Sequence, residues 1–307
     1  MGKIAFVFPG QGAQAVGMGK DIYDALPQSR AVFEQGDKVL GFDLSKLVFE
    51  GPDNELKQTV NTQPALVTTS VAYLTALSDK GIKPDYVAGH SLGEYSALVA
   101  AGVLSYEDAV QLVRLRGRFM EEAVPGGQGA MAAVLGAERG ALADLCRSIS
   151  ETGSIVELAN VNCPGQIVVS GSQEGVAAVV ARVKEAGGKR AIPLEVSGPF
   201  HSSMMKEAAE RLAAELAHVT FNTPAVPVVV NVTAQPVNDP EQIRELLVQQ
   251  VYSPVLWQDS VEWLIAAGVD TFVEIGSGSV LAGLIRKIDK TVKVVSINSL
   301  ESVQGEL

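Results

Sequence analysis

Three side chains in this sequence have the types and settings for nucleophilic chemistry at a carbonyl: a serine at a glycine-flanked bend, a histidine in a glycine-proline loop and an arginine inside an apolar helical stripe. Ser91 lies in Y-V-A-G-H-S-L-G-E-Y-S-A-L-V-A-A, Tyr86 to Ala101, a G-x-S-x-G match at Gly89, Ser91 and Gly93. A β-type run ends at the first glycine and an apolar helical run begins after the serine. Ser91 therefore falls on a strand-to-helix turn that pushes its hydroxyl out of the sheet edge. The N–H of Leu92, at the start of that helix, suits an oxyanion formed when Ser91 attacks. A serine that only caps the helix is the plainer reading of the same residues.

A serine nucleophile needs a base, and the chain has three histidines, His90, His201 and His218. His90 adjoins the serine and should project to the other side of the turn, and His218 follows an ordinary amphipathic helix. That leaves His201, in S-G-P-F-H-S, as the candidate base. Arg116 sits on a helix that starts at the capping pair Ser105 and Asp108 and runs to about Ala123. At 100° per residue it falls amid Ala109, Leu112, Val113, Phe119, Met120 and Ala123, while Arg114 and Arg118 face the polar side. A core-facing cation needs an anion. Two partners are open: an internal carboxylate in a buried salt bridge, or a carboxylate on the substrate gripped by the guanidinium fork.

The elements that must position these groups alternate. A strand, Ile4 to Phe8, opens into P-G-Q-G-A-Q-A-V-G-M-G, whose spacing lacks the lysine of a phosphate cradle and suits a loop giving a second oxyanion N–H, from Gln11. Helices over Ser29 to Leu40 and Gln63 to Lys80 lead to the Ser91 strand, which predicts a mostly parallel sheet with helices on its faces. From Met131 to Leu194 the order is β-α-β-β-α-β, a ferredoxin-like unit inserted between Ser91 and His201. The division is thus 1–124 and 198–307 for the large lobe and 125–197 for the small one, with the site between them. Helix Met204 to Ala217, strand Val228 to Val232, helices Gln242 to Val251 and Val255 to Ala267, strand Thr271 to Ile275, helix Val280 to Ile288 and strand Val294 to Ile297 complete the large lobe.

At 307 residues and 47% hydrophobic content the chain can bury a large core. Its net charge of −11 argues against nucleic acid as a partner. No apolar run reaches membrane-spanning length, so no membrane segment is expected. Cys146 and Cys163 show neither metal-ligand nor disulfide spacing, which fits a reducing, cytoplasmic setting and predicts no metal.

At these residues the sequence resembles malonyl-CoA:acyl carrier protein transacylases of fatty-acid synthesis, over essentially the whole chain. The motifs are F-P-G-Q-G-A-Q at Phe8 to Gln14, G-H-S-L-G-E-Y at Gly89 to Tyr95, Arg116, P-F-H-S at Pro199 to Ser202 and V-Y-S-P-V-x-W at Val251 to Trp257. Ala13 and Gly198 depart from the family's usual serine and alanine, outside the reacting atoms. The resemblance implies an α/β-hydrolase-like large lobe with a ferredoxin-like small lobe. It also implies a backbone carbonyl at Gln250 that orients the base, and a substrate channel near Asn160, Asn162 and Phe200. Malonyl-CoA as substrate, acyl carrier protein as partner and no permanently bound cofactor follow from the same likeness. Lys184, Lys189, Arg190, Arg286 and Lys287 are the basic positions open to an acidic carrier.

Overall fold

In the computed structural model, which describes residues 2–124 and 126–305 and only the backbone at Asp79, the strands form two sheets. The expected lobe boundary between 124 and 125 meets Pro125, which with Met1, Glu306 and Leu307 lies outside the described residues. The strands are β1 (Lys3–Phe8), β2 (Tyr86–Gly89), β3 (Gly129–Leu135), β4 (Val156–Cys163), β5 (Gln166–Ser172), β6 (Arg190–Pro193), β7 (Val228–Val229), β8 (Pro236–Val237), β9 (Val269–Ile275) and β10 (Lys293–Ile297).

The larger sheet runs β10-β9-β1-β2-β7-β8, parallel except for the last pair. Side chains alternate across it as strand geometry demands. Phe6, Phe8 and Val87 enter one core, while Ala5, Val7 and Ala88 enter the other with Trp257, Leu264 and Phe272. The smaller sheet runs β4-β5-β3-β6, antiparallel throughout, as a β-α-β-β-α-β chain must. The architecture is an α/β-hydrolase-like lobe with a ferredoxin-like insertion.

The helices are α1 (Lys20–Ala25), α2 (Pro27–Leu40), α3 (Leu44–Glu50), α4 (Asp53–Leu56), α5 (Thr59–Leu77), α6 (Gly93–Ala100), α7 (Tyr106–Glu122), α8 (Arg139–Ser150), α9 (Gln173–Arg182), α10 (Lys206–Leu216), α11 (Pro240–Gln250), α12 (Trp257–Ala266), α13 (Val280–Ile288) and α14 (Leu300–Gln304). Their starts carry local signals: Ser105, Glu138 and Ser172 each accept a backbone N–H three residues on, and Asp239 caps α11 ahead of Pro240. The short helices α1, α3, α4 and α14 have no long apolar period and were not foreseen. Helix α5 begins four residues earlier than its periodicity predicts and is buried along most of its length.

One strand is shorter than expected. The run Val228 to Val232 pairs only at Val228 and Val229, because Val230 closes a turn, donating to Gln235 O and accepting from Ala234 N. That turn frees Asn231 from the sheet. The lobes are stitched where β4 meets the chain before α12: Val161 N–H donates to Val255 O and Val255 N–H to Ala159 O. Register shifts on either side of Asn160 and Val161 bend β4 at this seam, over the end of the main sheet.

Candidate active site

The glycines around Ser91 explain its position. A Cβ on Gly89 would stand 2.0 Å from the Gly93 carbonyl carbon, and one on Gly93 would stand 2.2 Å from Phe8 O. Strand end and helix start therefore touch backbone to backbone, and the chain between them turns through Ser91 at φ 52°. That left-handed conformation costs energy for a residue with a Cβ. It is held by Asn231, whose Oδ1 accepts the Ser91 N–H at 2.7 Å and whose Nδ2 donates to Gly89 O at 2.6 Å.

Ser91 does not cap α6. Its Oγ lies 2.8 Å from His201 Nε2, although 110 residues separate them in sequence. His201 also has a positive φ, 58°, and is buried. Its Nδ1 is 2.8 Å from Gln250 O. A carbonyl only accepts, so Nδ1 carries the proton and Nε2 presents its lone pair to the serine hydroxyl. Burial, then the nearby charge of Arg116, pushes the imidazole down to about 3, against the pull of the Gln250 carbonyl. The ring is a neutral acceptor at physiological pH.

Arg116 is 1% exposed and forms no ion pair among the described residues. Its neighbours are neutral: Nη1 donates to Gln63 Oε1 at 2.8 Å, and Nη2 to Gln250 Oε1 at 2.9 Å and Ser91 Oγ at 3.1 Å. Among the described residues the internal salt bridge is absent, and the buried Nε has no partner. A full positive charge faces the Ser91 hydroxyl with no anion in salt-bridge contact among the described residues.

The cleft, about 270 Å³, is bordered by Gln11, Leu92, Asn160, Asn162 and Phe200 along with these groups. The Leu92 and Gln11 N–H groups donate to no protein acceptor among the described residues. Asn162 is engaged, its Oδ1 lying 2.8 Å from His90 Nε2. His90 thus borders the same cleft rather than leaving it on the far side of the turn, yet it points to the small lobe and not to Ser91. His218 is exposed beyond α10, and both cysteines are free and buried.

Gln63, Asn231, Glu94 and the Gln250 side chain escaped the reading of the sequence. Gln250 Nε2 donates to Ser91 O at 3.1 Å, and Glu94 Oε2 accepts the Asn231 N–H at 2.8 Å. Burial pushes the Glu94 carboxyl up to about 7, against the Asn231 N–H, Gln250 and Arg116. The available signal was polarity inside apolar runs, as at Gln63 before P-A-L-V. No group of three or more His, Cys, Asp or Glu among the described residues is arranged to hold a metal.

Residues 5–304 match the acyl transferase domain family. The malonyl CoA-acyl carrier protein transacylase of Bacillus subtilis is 52% identical over 99% of this chain and 96% of its own. That of Staphylococcus aureus is 49% identical over 99% and 98%. The acyl carrier protein S-malonyltransferase of Vibrio cholerae superposes with a TM-score of 0.96 at 46% identity, over 98% of both chains. A malonyl-transacylase solved with its type II polyketide synthase acyl-carrier protein superposes at 0.95 and 44% identity, over 98% of this chain and 97% of that one.

Proposed function

Because the chain belongs to the acyl transferase domain family, we propose that it carries a malonyl group from malonyl-CoA to the phosphopantetheine thiol of acyl carrier protein through an ester on Ser91. The observation that carries this reading is the buried guanidinium 3.1 Å from Ser91 Oγ, which has no ion pair among the described residues. In a malonyl thioester the free carboxylate stands one methylene from the reacting carbonyl. A cation beside Oγ therefore meets it when the carbonyl is in place for attack.

His201 Nε2 takes the Ser91 proton as Oγ attacks the thioester carbon, and Gln250 O holds the imidazole in the required tautomer. The Gln11 and Leu92 N–H groups receive the oxyanion. The intermediate collapses, the C–S bond breaks, and His201 returns the proton to the departing thiolate of coenzyme A. The carrier thiol then gives its proton to His201 and attacks the ester carbon; the C–Oγ bond breaks, and His201 returns the proton to Ser91 Oγ. Arg116 holds the malonyl carboxylate throughout, and Asn160, Asn162 and Phe200 border its path. Malonyl-CoA enters as substrate and coenzyme A leaves as product, and these steps call on no permanently bound cofactor.

The two lobes are assigned as 1–124 with 198–307, and 125–197. The carrier, itself acidic, would meet exposed Lys184, Lys189, Arg190, Arg286 and Lys287 on a chain of net charge −11. Lys287 donates to Gln166, which borders the cleft. No helix among the described residues is long and apolar enough to cross a membrane. We place the enzyme in the cytoplasm, where its two thiols stay reduced.

Intact mass after mixing with malonyl-CoA tests the assignment. One malonyl adduct should form, be absent from Ser91→Ala and discharge onto added holo-carrier as malonyl-carrier. An adduct that survives Ser91→Ala refutes the nucleophile. One that decays to free malonate equally fast with and without carrier refutes transfer.

A further inference from the structure

Glu94 lies three residues past the nucleophile on α6 and is 1% exposed. No Lys, Arg or His nitrogen lies within salt-bridge distance of it among the described residues. It is nonetheless joined to the catalytic groups. Its Oε2 accepts the Asn231 N–H, and the Asn231 amide clamps Ser91 N and Gly89 O on both sides of the bend. Asn231 Oδ1 is 3.4 Å from Gln250 Nε2, and Gln250 Oε1 accepts from Arg116. Carboxyl and guanidinium are thus the two ends of one buried polar chain passing beneath Ser91.

Few other charges face this carboxyl. Of the elements packed on α6, α5 carries no charged residue, and β1 and β2 carry only Lys3 and Tyr86 at their opposite ends. Helix α7 presents Arg116, Tyr95 of α6 itself is a buried phenol, and Asn231 and Gln250 are neutral. His201 and His90 border the site as neutral rings, both held below the usual histidine range by burial. Arg116 is therefore the cation that favours ionised Glu94, and a substrate carboxylate on Arg116 competes for the same field.

We propose that Glu94 is a positioning residue for the transfer and that it takes up one proton from solvent when the substrate's free carboxylate occupies Arg116. The inference rests on the malonyl reading of the site. Uptake keeps the charge of the closed pocket constant: the arriving carboxylate cancels the guanidinium, and the buried carboxyl becomes neutral instead of standing unopposed. An uncharged acyl group brings no such change. Glu94 then goes on holding Asn231, and through it the bend, because Oε2 accepts the N–H in either protonation state.

The experiment is calorimetric titration of Ser91→Ala, which binds thioester without turnover, in buffers of differing ionisation enthalpy at about pH 7.5. Acetyl-CoA is the control, since it carries the same titrating phosphates. Malonyl-CoA should bind with proton uptake exceeding that of acetyl-CoA by up to one proton per site, and adding Glu94→Gln should remove the excess. Malonyl-CoA binding no tighter than acetyl-CoA overturns the malonyl reading itself. Tighter binding without excess uptake, or an excess that survives Glu94→Gln, overturns the Glu94 proposal alone. If Glu94→Gln does not fold, the infrared difference spectrum of Ser91→Ala decides: a buried carboxylic-acid C=O band should appear with malonyl-CoA and not with acetyl-CoA. Its absence overturns the proposal.

Discussion

Replacing Arg116 by methionine removes the charge and keeps most of the volume, so its consequences can be worked from the contacts. A malonyl carboxylate on the guanidinium gains two charge-assisted hydrogen bonds, each worth about 1.5–3 kcal/mol. Part of one is an exchange, because Nη2 already donates to Ser91 Oγ. The net loss is then about 2–5 kcal/mol, a fall of about 30- to 5,000-fold in kcat/KM for malonyl-CoA. Acetyl-CoA loses none of these bonds, and His201 is relieved of a neighbouring charge that holds it down. The malonyl:acetyl ratio should collapse while acetyl transfer holds or rises. The substitution also leaves Gln63 Oε1 and Gln250 Oε1 without their donor, at about 1–3 kcal/mol each, so melting temperature must be read alongside. Initial rates with both thioesters on folded protein are the assay. A ratio within about threefold of the parent's would refute the substrate-carboxylate role.

Two further outcomes concern stability. His201 is depressed from 6.5 to about 3, so the unfolded chain binds a proton there that the folded chain does not. That contribution is present above pH 6.5 and is lost as pH falls towards 3. Glu94 is raised from 4.5 to about 7, so the folded chain binds the extra proton. Its contribution is present below 4.5 and is lost as pH rises through 7. Between pH 4.5 and 6.5 the two proton differences cancel. Glu94→Gln should expose the histidine, so that denaturant-measured stability rises with pH by up to about 1.4 kcal/mol per unit across this window. An unchanged slope relative to the parent would contradict the assignment. Gly93→Ala should cost several kcal/mol, about 3 or more, because its Cβ meets the rigid Phe8 carbonyl at 2.2 Å; chemical denaturation would detect it, and a loss below about 1 kcal/mol would mean the bend can open.

Much of this site could be read from local pattern. The glycines at 89 and 93 announced a bend because only a residue without a Cβ permits backbone-to-backbone packing there. Arg116 stood out because helical periodicity reports which face a side chain occupies, and a cation on the apolar face is anomalous. The alternation of strand and helix likewise predicted the parallel sheet and the antiparallel insertion. His201 was named because so few bases exist in the chain, which is an argument from composition.

What only the folded chain decided is the partnership of these groups. Whether Arg116 had an acid of its own turned on Gln63 and Gln250, 53 and 134 residues distant. Asn231, which holds the bend from 140 residues away, became free because its strand ends three residues earlier than the expected run to Val232. Amides carry no charge and no hydrophobic period, so nothing in their local sequence marks them as contacts. Their role arises only when chain closure brings polar atoms together out of water, where each must find a partner and the charges among them must balance.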